Sequence, residues 1–108
     1  MGGSSSSSSN EEFGNSTKAT HECRIQYCGG WGYRKHAVKA KDTLVKAYGD
    51  KLFIVFVKDF GVTGNLNILI AKKGSKDFSS VHSKKGGDGL VTDGNEAAFL
   101  RKVQEAMK

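Results

Sequence analysis

The chain has 108 residues, of which 37% are hydrophobic and 26% charged, and its formal net charge is +6. This length and composition are typical of one soluble globular domain. The sequence lacks the run of about 18 apolar residues that a transmembrane helix needs. No basic segment followed by an apolar one opens the chain, so no secretory signal is expected. Two cysteines are too few for a disulfide scaffold, so a reducing, cytoplasmic compartment is expected.

Residues 1–20 are predicted to form a disordered, serine-rich tail, and residues 21–108 the folded domain. Six consecutive serines and few apolar side chains bury too little surface to offset the entropy of ordering the chain. The opening MGGSSS matches the pattern for N-myristoylation, with Gly2 as the acceptor. A single myristoyl chain would give only marginal membrane binding, so no stable membrane insertion is expected.

The first half of the domain predicts a strand, a helix and a second strand. Apolar and polar residues alternate from 21 to 27, the period of a half-buried strand. From about 33 to 48 the apolar period becomes helical, and Gly49 stands where a helix often ends. The apolar run LFIVFV within residues 51–58 predicts a central strand. These elements predict a right-handed unit with two parallel strands.

The second half predicts a hairpin and a last helix. Strand patterns at 66–70 and 78–83 flank a basic turn, which indicates an antiparallel pair. An apolar stripe from Phe99 to Met107 predicts the helix. The order β-α-β-β-β-α predicts a two-layer α/β sandwich with one mixed four-stranded sheet and two helices.

Residues 27–33, YCGGWGY, carry the candidate chemistry. Cys28 stands between the first predicted strand and the helix, where unpaired N–H groups and the helix dipole favour a thiolate over a thiol. Gly29 and Gly30 let the backbone approach a sulfur atom closely. The pattern favours an accessible nucleophile with a lowered pKa at Cys28 over the alternative, an ordinary buried cysteine. Trp31 occupies the position that would complete a C-x-x-C redox pair.

Two motifs resemble the selenoprotein W family. YCGGWGY resembles its YCGxUGY signature, in which U is selenocysteine, and HSKKGGDG at 82–89 resembles its H-S-K-K-x-G-D-G loop. Thr63-Gly64 also matches the opening of the family's third strand. The resemblance implies a thioredoxin-like fold of the Rdx type and an antioxidant protein with glutathione-linked thiol or selenol chemistry.

The resemblance also implies the site residues. Cys28 matches the family's first redox cysteine, and Trp31 matches the selenocysteine or the second cysteine. The neighbouring motif positions are glycines of the redox loop and polar candidates around it: Gly29, Gly30, Gly32, Thr63, His82 and Ser83. Glutathione is the implied reductant or mixed-disulfide partner, and no bound cofactor or metal is expected.

Trp31 has three explanations. Selenocysteine is encoded by UGA, which some genetic systems read as tryptophan, so the residue can record a reassigned, mistranslated or deliberately replaced selenocysteine codon. It can also belong to a natural monothiol variant, or stack on a ligand or partner in a new function. The codon decides: UGA with a downstream selenocysteine-insertion hairpin supports the first explanation, and UGG contradicts it.

Cys23 is not expected to substitute for the missing partner. Five residues of extended strand place its Cα about 16 Å from that of Cys28, whereas a disulfide needs about 4.4–6.8 Å. Cys23 is therefore predicted to be a buried apolar contact. Without a second thiol, the chain is expected to lack dithiol cycling but to form a mixed disulfide at Cys28.

The sequence favours two functions and leaves a basic nucleic-acid binder as the least favoured third. One is a thiol redox protein that uses Cys28. The other is a non-enzymatic, redox-regulated module that binds a partner protein through the Cys28–Gly32 loop, with Trp31 as an aromatic anchor. No nucleic-acid partner is expected, because no RNA-binding motif with interleaved aromatic residues accompanies the positive charge. A monomer is expected.

Overall fold

The computed structural model describes residues 11–108, in which five strands and two α-helices follow one another. The elements are β1 (Glu11–Phe13), β2 (His21–Tyr27), α1 (Arg34–Tyr48), β3 (Leu52–Lys58), β4 (Leu66–Lys72), β5 (Ser79–Ser83) and α2 (Glu96–Ala106). Short helical turns at Gly49–Lys51 and Lys84–Asp88 complete the order. None of the helices within residues 11–108 is long and apolar enough to cross a membrane.

The strands form one mixed sheet in the order β1-β3-β2-β4-β5. β2 and β3 run parallel on either side of the α1 connection, as predicted, and β4 and β5 form the predicted antiparallel hairpin. The prediction of four strands is wrong, because the sheet has five. The prediction of a central strand within residues 51–58 is confirmed, because β3 lies between β1 and β2 and pairs with both.

The additional strand, β1, lies inside the segment predicted to be disordered. It pairs antiparallel with β3, and the Phe13 ring lies 4.7 Å from that of Phe56. Glu11 accepts two hydrogen bonds from the Arg34 guanidinium. A strand of three residues is too short to show a recognisable alternation of apolar and polar side chains. β1 is therefore specified only by its distant partners in β3 and α1. Gly2, the candidate myristoylation site, lies outside the described residues.

One face of the sheet packs against both helices. Along β2 the inward side chains, Cys23, Ile25 and Tyr27, are buried, whereas Arg24 on the other face is exposed. Ala37, Ala40 and Leu44 of α1 and Phe99 and Val103 of α2 complete the core. This is a two-layer α/β arrangement.

The parallel pair determines where a site can form. Tyr27 at the end of β2 lies opposite Lys58 at the end of β3. Because the carboxyl ends of parallel strands meet at one edge of a sheet, the loops at 28–33 and 59–65 emerge side by side. The first of these loops carries YCGGWGY.

Candidate redox site

The loop after β2 and the loop after β3 are joined by backbone hydrogen bonds. Gly29 N–H donates to the Gly61 carbonyl at 2.9 Å, and Cys28 N–H donates to the Asn65 carbonyl at 2.9 Å. A Cβ atom on Gly29 would lie 2.2 Å from the Asp59 carbonyl oxygen and 2.6 Å from that of Gly61. Only glycine therefore allows the two backbones to approach this closely.

The sulfur of Cys28 sits among hydrogen-bond donors. Gly30 N–H lies 3.4 Å and Thr63 N–H 3.3 Å from Sγ, and the Gly64 backbone donates as well. Burial raises the pKa of Cys28, but the hydrogen bonds from Gly64, Gly30 and Thr63 lower it by more, so the pKa lies below that of an ordinary cysteine. Donors that favour the charged form of a thiol stabilise the nucleophilic thiolate.

The source of this stabilisation differs from the sequence expectation. α1 begins only at Arg34, after a turn at residues 31–33, so the helix start is separated from the thiol. The donors from outside the Cys28 loop come from Thr63 and Gly64, in the loop that leads into β4. Two adjacent N–H groups of a turn that point at one atom form an anion-binding concavity, which here takes the place of the expected helix N-terminus.

The prediction that Cys28 is accessible is wrong for this conformation, because the residue is only 1% exposed. It lines a narrow cavity of about 160 Å³ whose wall includes Tyr33, Arg34 and Lys58. The contact between the two loops covers the sulfur, and this contact depends on residues 59–65, which are remote in the chain.

Trp31 lies at the rim of the site. Its side chain is 69% exposed, and its φ of +60° is in the left-handed region that residues other than glycine rarely occupy. The edge of the indole ring lies 3.4 Å from the point where a Cβ atom on Gly64 would be. The ring therefore covers the donor turn, the part of the 59–65 loop whose Thr63 and Gly64 N–H groups face the sulfur. Position 31 is therefore the outer position of the loop, and Cys28 is the inner one.

The HSKKGGDG segment approaches the site through a lysine. The Lys85 side chain passes 3.8 Å from where a Cβ of Gly64 would lie. His82 instead bonds the Gly89 carbonyl through Nε2 at 2.7 Å and packs edge-on against Phe99. Ser83 accepts a hydrogen bond from Gly86 N–H at 3.1 Å. The contacts of His82 and Ser83 hold their own loop together and do not include the Cys28 sulfur.

Asp59 is a site residue that the sequence reasoning missed. Its carboxylate accepts hydrogen bonds from Thr63, Gln26 and Asn65, directly behind the donor turn. Partial burial raises the pKa of Asp59, but these bonds lower it by more, so the group is charged at neutral pH. The pattern Asp-x-Gly-x-Thr-Gly at residues 59–64, directly after an apolar strand, could have indicated a turn stabilised by its own side chains.

Cys23 occupies the predicted position. It lies within β2, completely buried in the core, and burial raises the pKa of its thiol. Both cysteines are free thiols. The neutral Cys23 thiol packs as an apolar side chain, so Cys28 alone has the surroundings of a reactive cysteine.

Comparison with known proteins agrees with these motifs. No family model matches the chain. It is similar to selenoprotein W of Sus scrofa, with 38% identity over 80 residues that cover 74% of this chain and 83% of the relative. Selenoprotein W of Danio rerio is 33% identical over 89 residues, covering 82% and 96%, and that of Ovis aries is 36% identical over 80 residues, covering 74% and 83%. Together with the two motifs, these similarities show that the chain belongs to the selenoprotein W family.

Proposed function

We propose that the chain is a thiol redox protein of thioredoxin-like fold, active in the cytoplasm, with Cys28 as its nucleophile. The observation that carries the proposal is the set of backbone donors from Gly30, Thr63 and Gly64 around one sulfur. Such donors stabilise a neutral, structural cysteine only weakly, but they stabilise a thiolate strongly. Membership of the selenoprotein W family supports the same assignment.

The proposed reaction is a thiol–disulfide exchange with glutathione. The Cys28 thiolate attacks one sulfur of glutathione disulfide, a new S–S bond forms, and one glutathione leaves as a thiolate. The thiolate of a partner protein then attacks the glutathione sulfur of this mixed disulfide, takes the glutathionyl group and releases Cys28 as a thiolate. One glutathionyl group thus moves from glutathione disulfide to the partner thiol. Trp31 carries no thiol, so the chain works with one cysteine and its dithiol chemistry is impaired.

Replacing the nucleophile tests the proposal. Glutathione disulfide is expected to add one glutathione to the native chain, and Cys28→Ser is expected to remove the adduct because it removes the sulfur. Mass spectrometry of the intact protein and of the peptide that contains residue 28 measures the adduct. Cys23→Ala is the matched control and is expected to keep it. An adduct on Cys23, or none on the folded native chain, contradicts the proposal.

A second candidate function is a module that binds a partner protein through the same edge. Three large apolar side chains are exposed on the two loops: Trp31 at 69%, Phe60 at 98% and Val62 at 56%. Exposed aromatic side chains grouped in this way are typical of binding surfaces. In this function the state of Cys28 regulates binding, and the exposed side chains supply the contact.

Substitutions on the loops separate the two functions. If the surface binds a partner, capture of that partner from cytosol is expected to survive Cys28→Ser and to be lost with Phe60→Ser, because the ring supplies the buried contact. Val45→Ser is the control, since Val45 is an apolar side chain on α1 that is 46% exposed. Capture that disappears with Cys28→Ser and with added reductant identifies disulfide trapping instead and contradicts the binding module.

A further inference from the structure

The loop that donates to Cys28 is held in place by one carboxylate. Asp59 Oδ2 accepts from the Thr63 hydroxyl at 2.5 Å and from the Asn65 side-chain amide at 3.0 Å. Asp59 Oδ1 accepts from the Gln26 side-chain amide at 2.6 Å. The carboxylate therefore joins both ends of the donor turn to β2, the strand that precedes the thiol.

The same network continues into the neighbouring strand. Gln26 Oε1 accepts from the Asn67 side-chain amide of β4 at 3.2 Å, and Asp59 N–H donates to the Tyr27 carbonyl at 2.8 Å. Side chains that are partly buried and bonded to an ionised group hold their geometry more firmly than neutral pairs do. The turn at residues 59–65 is thus fixed to β2 and β4 at the edge where the sulfur lies.

We propose that Asp59 is a positioning residue for Cys28, because it holds the 59–65 loop so that the Thr63 N–H donates to the sulfur. The inference rests on the proposed function of Cys28, whose thiolate form is the one that uses these donors. Asp59 acts only through Thr63 and the turn. It is a feature of the loop after β3 and belongs to neither of the two sequence motifs.

A competing arrangement predicts the opposite effect. The Thr63 side chain also lies within hydrogen-bonding reach of the sulfur, and a hydroxyl has a single proton to donate. If Asp59 merely withheld this proton from Cys28, removal of the carboxylate would release the hydroxyl to the sulfur and stabilise the thiolate. If Asp59 positions the turn, its removal loosens the turn and destabilises the thiolate.

The pKa of Cys28 distinguishes the two arrangements. It is measured in the folded full chain from the NMR chemical shift of the Cys28 β-carbon as a function of pH. Asp59→Ala and Thr63→Val are each expected to raise this pKa, with about a tenfold loss of thiolate at a fixed pH below the midpoint, since donors to the charged form are lost. Thr63→Ser, which keeps the hydroxyl, is expected to restore the native value.

Asp50→Ala serves as the matched control, because Asp50 is an exposed carboxylate in the turn before β3, and it is expected to leave the pKa of Cys28 unchanged. A general loss of stability lowers the melting temperature without moving this pKa. An unchanged or lowered pKa in folded Asp59→Ala overturns the inference, as does an unchanged pKa in Thr63→Val if Asp59→Ala does not fold. If the native chain itself has the pKa of a free cysteine, the proposed function fails as well, and the two failures are thus distinguished.

Discussion

Replacement of Trp31 by cysteine is expected to convert the chain from monothiol to dithiol chemistry. Position 31 is the exposed, outer position of the loop, and Cys28 is the inner one. An introduced thiol therefore meets the substrate disulfide first, and Cys28 resolves the mixed disulfide from within the loop. Because the second step becomes intramolecular, the rate of disulfide reduction is expected to rise at least about a hundredfold.

The same substitution is expected to change which species accumulates. With glutathione disulfide, the native chain is expected to form the adduct at Cys28, whereas Trp31→Cys is expected to form an internal disulfide that loses two hydrogens. Intact-mass measurement separates the two products, and a coupled glutathione assay measures the rate. Trp31→Ser removes the indole without adding a thiol and is the control. A rate for Trp31→Cys no higher than that for Trp31→Ser contradicts the assignment of position 31 as the missing redox partner.

Gly29→Ala is expected to have the largest effect on stability among substitutions in the loop. Its Cβ would lie 2.2 Å and 2.6 Å from two backbone carbonyl oxygens, those of Asp59 and Gly61, and backbone cannot move aside as a flexible side chain can. The two loops must separate, with a loss of about 3 kcal/mol in the free energy of unfolding. Chemical denaturation followed by circular dichroism measures the loss.

Gly32→Ala is the matched control in the same loop. Gly32 has a φ of +68°, and within residues 11–108 no atom beyond its two chain neighbours lies within 4 Å of an added Cβ. The expected cost is therefore only that of the left-handed backbone, about 1–2 kcal/mol. Comparing Gly29→Ala with Gly32→Ala separates the stability cost of the close backbone contact from the cost of the left-handed backbone conformation. Equal destabilisation by the two substitutions would contradict the packed contact between the loops at 28–33 and 59–65.

Much of the fold follows from local patterns. The period-2 alternation at residues 21–27 became β2, and the helical stripe from about 33 to 48 became α1 with Gly49 at its end. These elements are predictable because each buries one regular face, and the spacing of apolar residues records that face directly. The parallel pair of β2 and β3 follows from the right-handed crossover rule. The buried, free state of Cys23 follows from its place in the alternation.

The candidate site was predictable only in part. Cys28 and Trp31 are three positions apart in one short motif, so the sequence shows both of them. The sequence does not show that Cys28 is only 1% exposed whereas Trp31 is 69% exposed. These different exposures arise because a second loop, remote in sequence, packs on the inner residue and leaves the outer one free. β1 escaped prediction for the same reason, since its three residues depend on partners in β3 and α1.

Local spacing and two short motifs in the sequence are enough to predict the family, the order of elements from residue 21 onward and Cys28 as the thiol of the first motif. The atoms that surround that thiol are brought together only when the chain folds. Thr63 and Gly64 reach Cys28, and Asp59 bonds to Thr63 behind them, because β2 and β3 are parallel and end at one edge of the sheet. Their effect on the sulfur depends on distances across that edge, which no local pattern in the chain encodes.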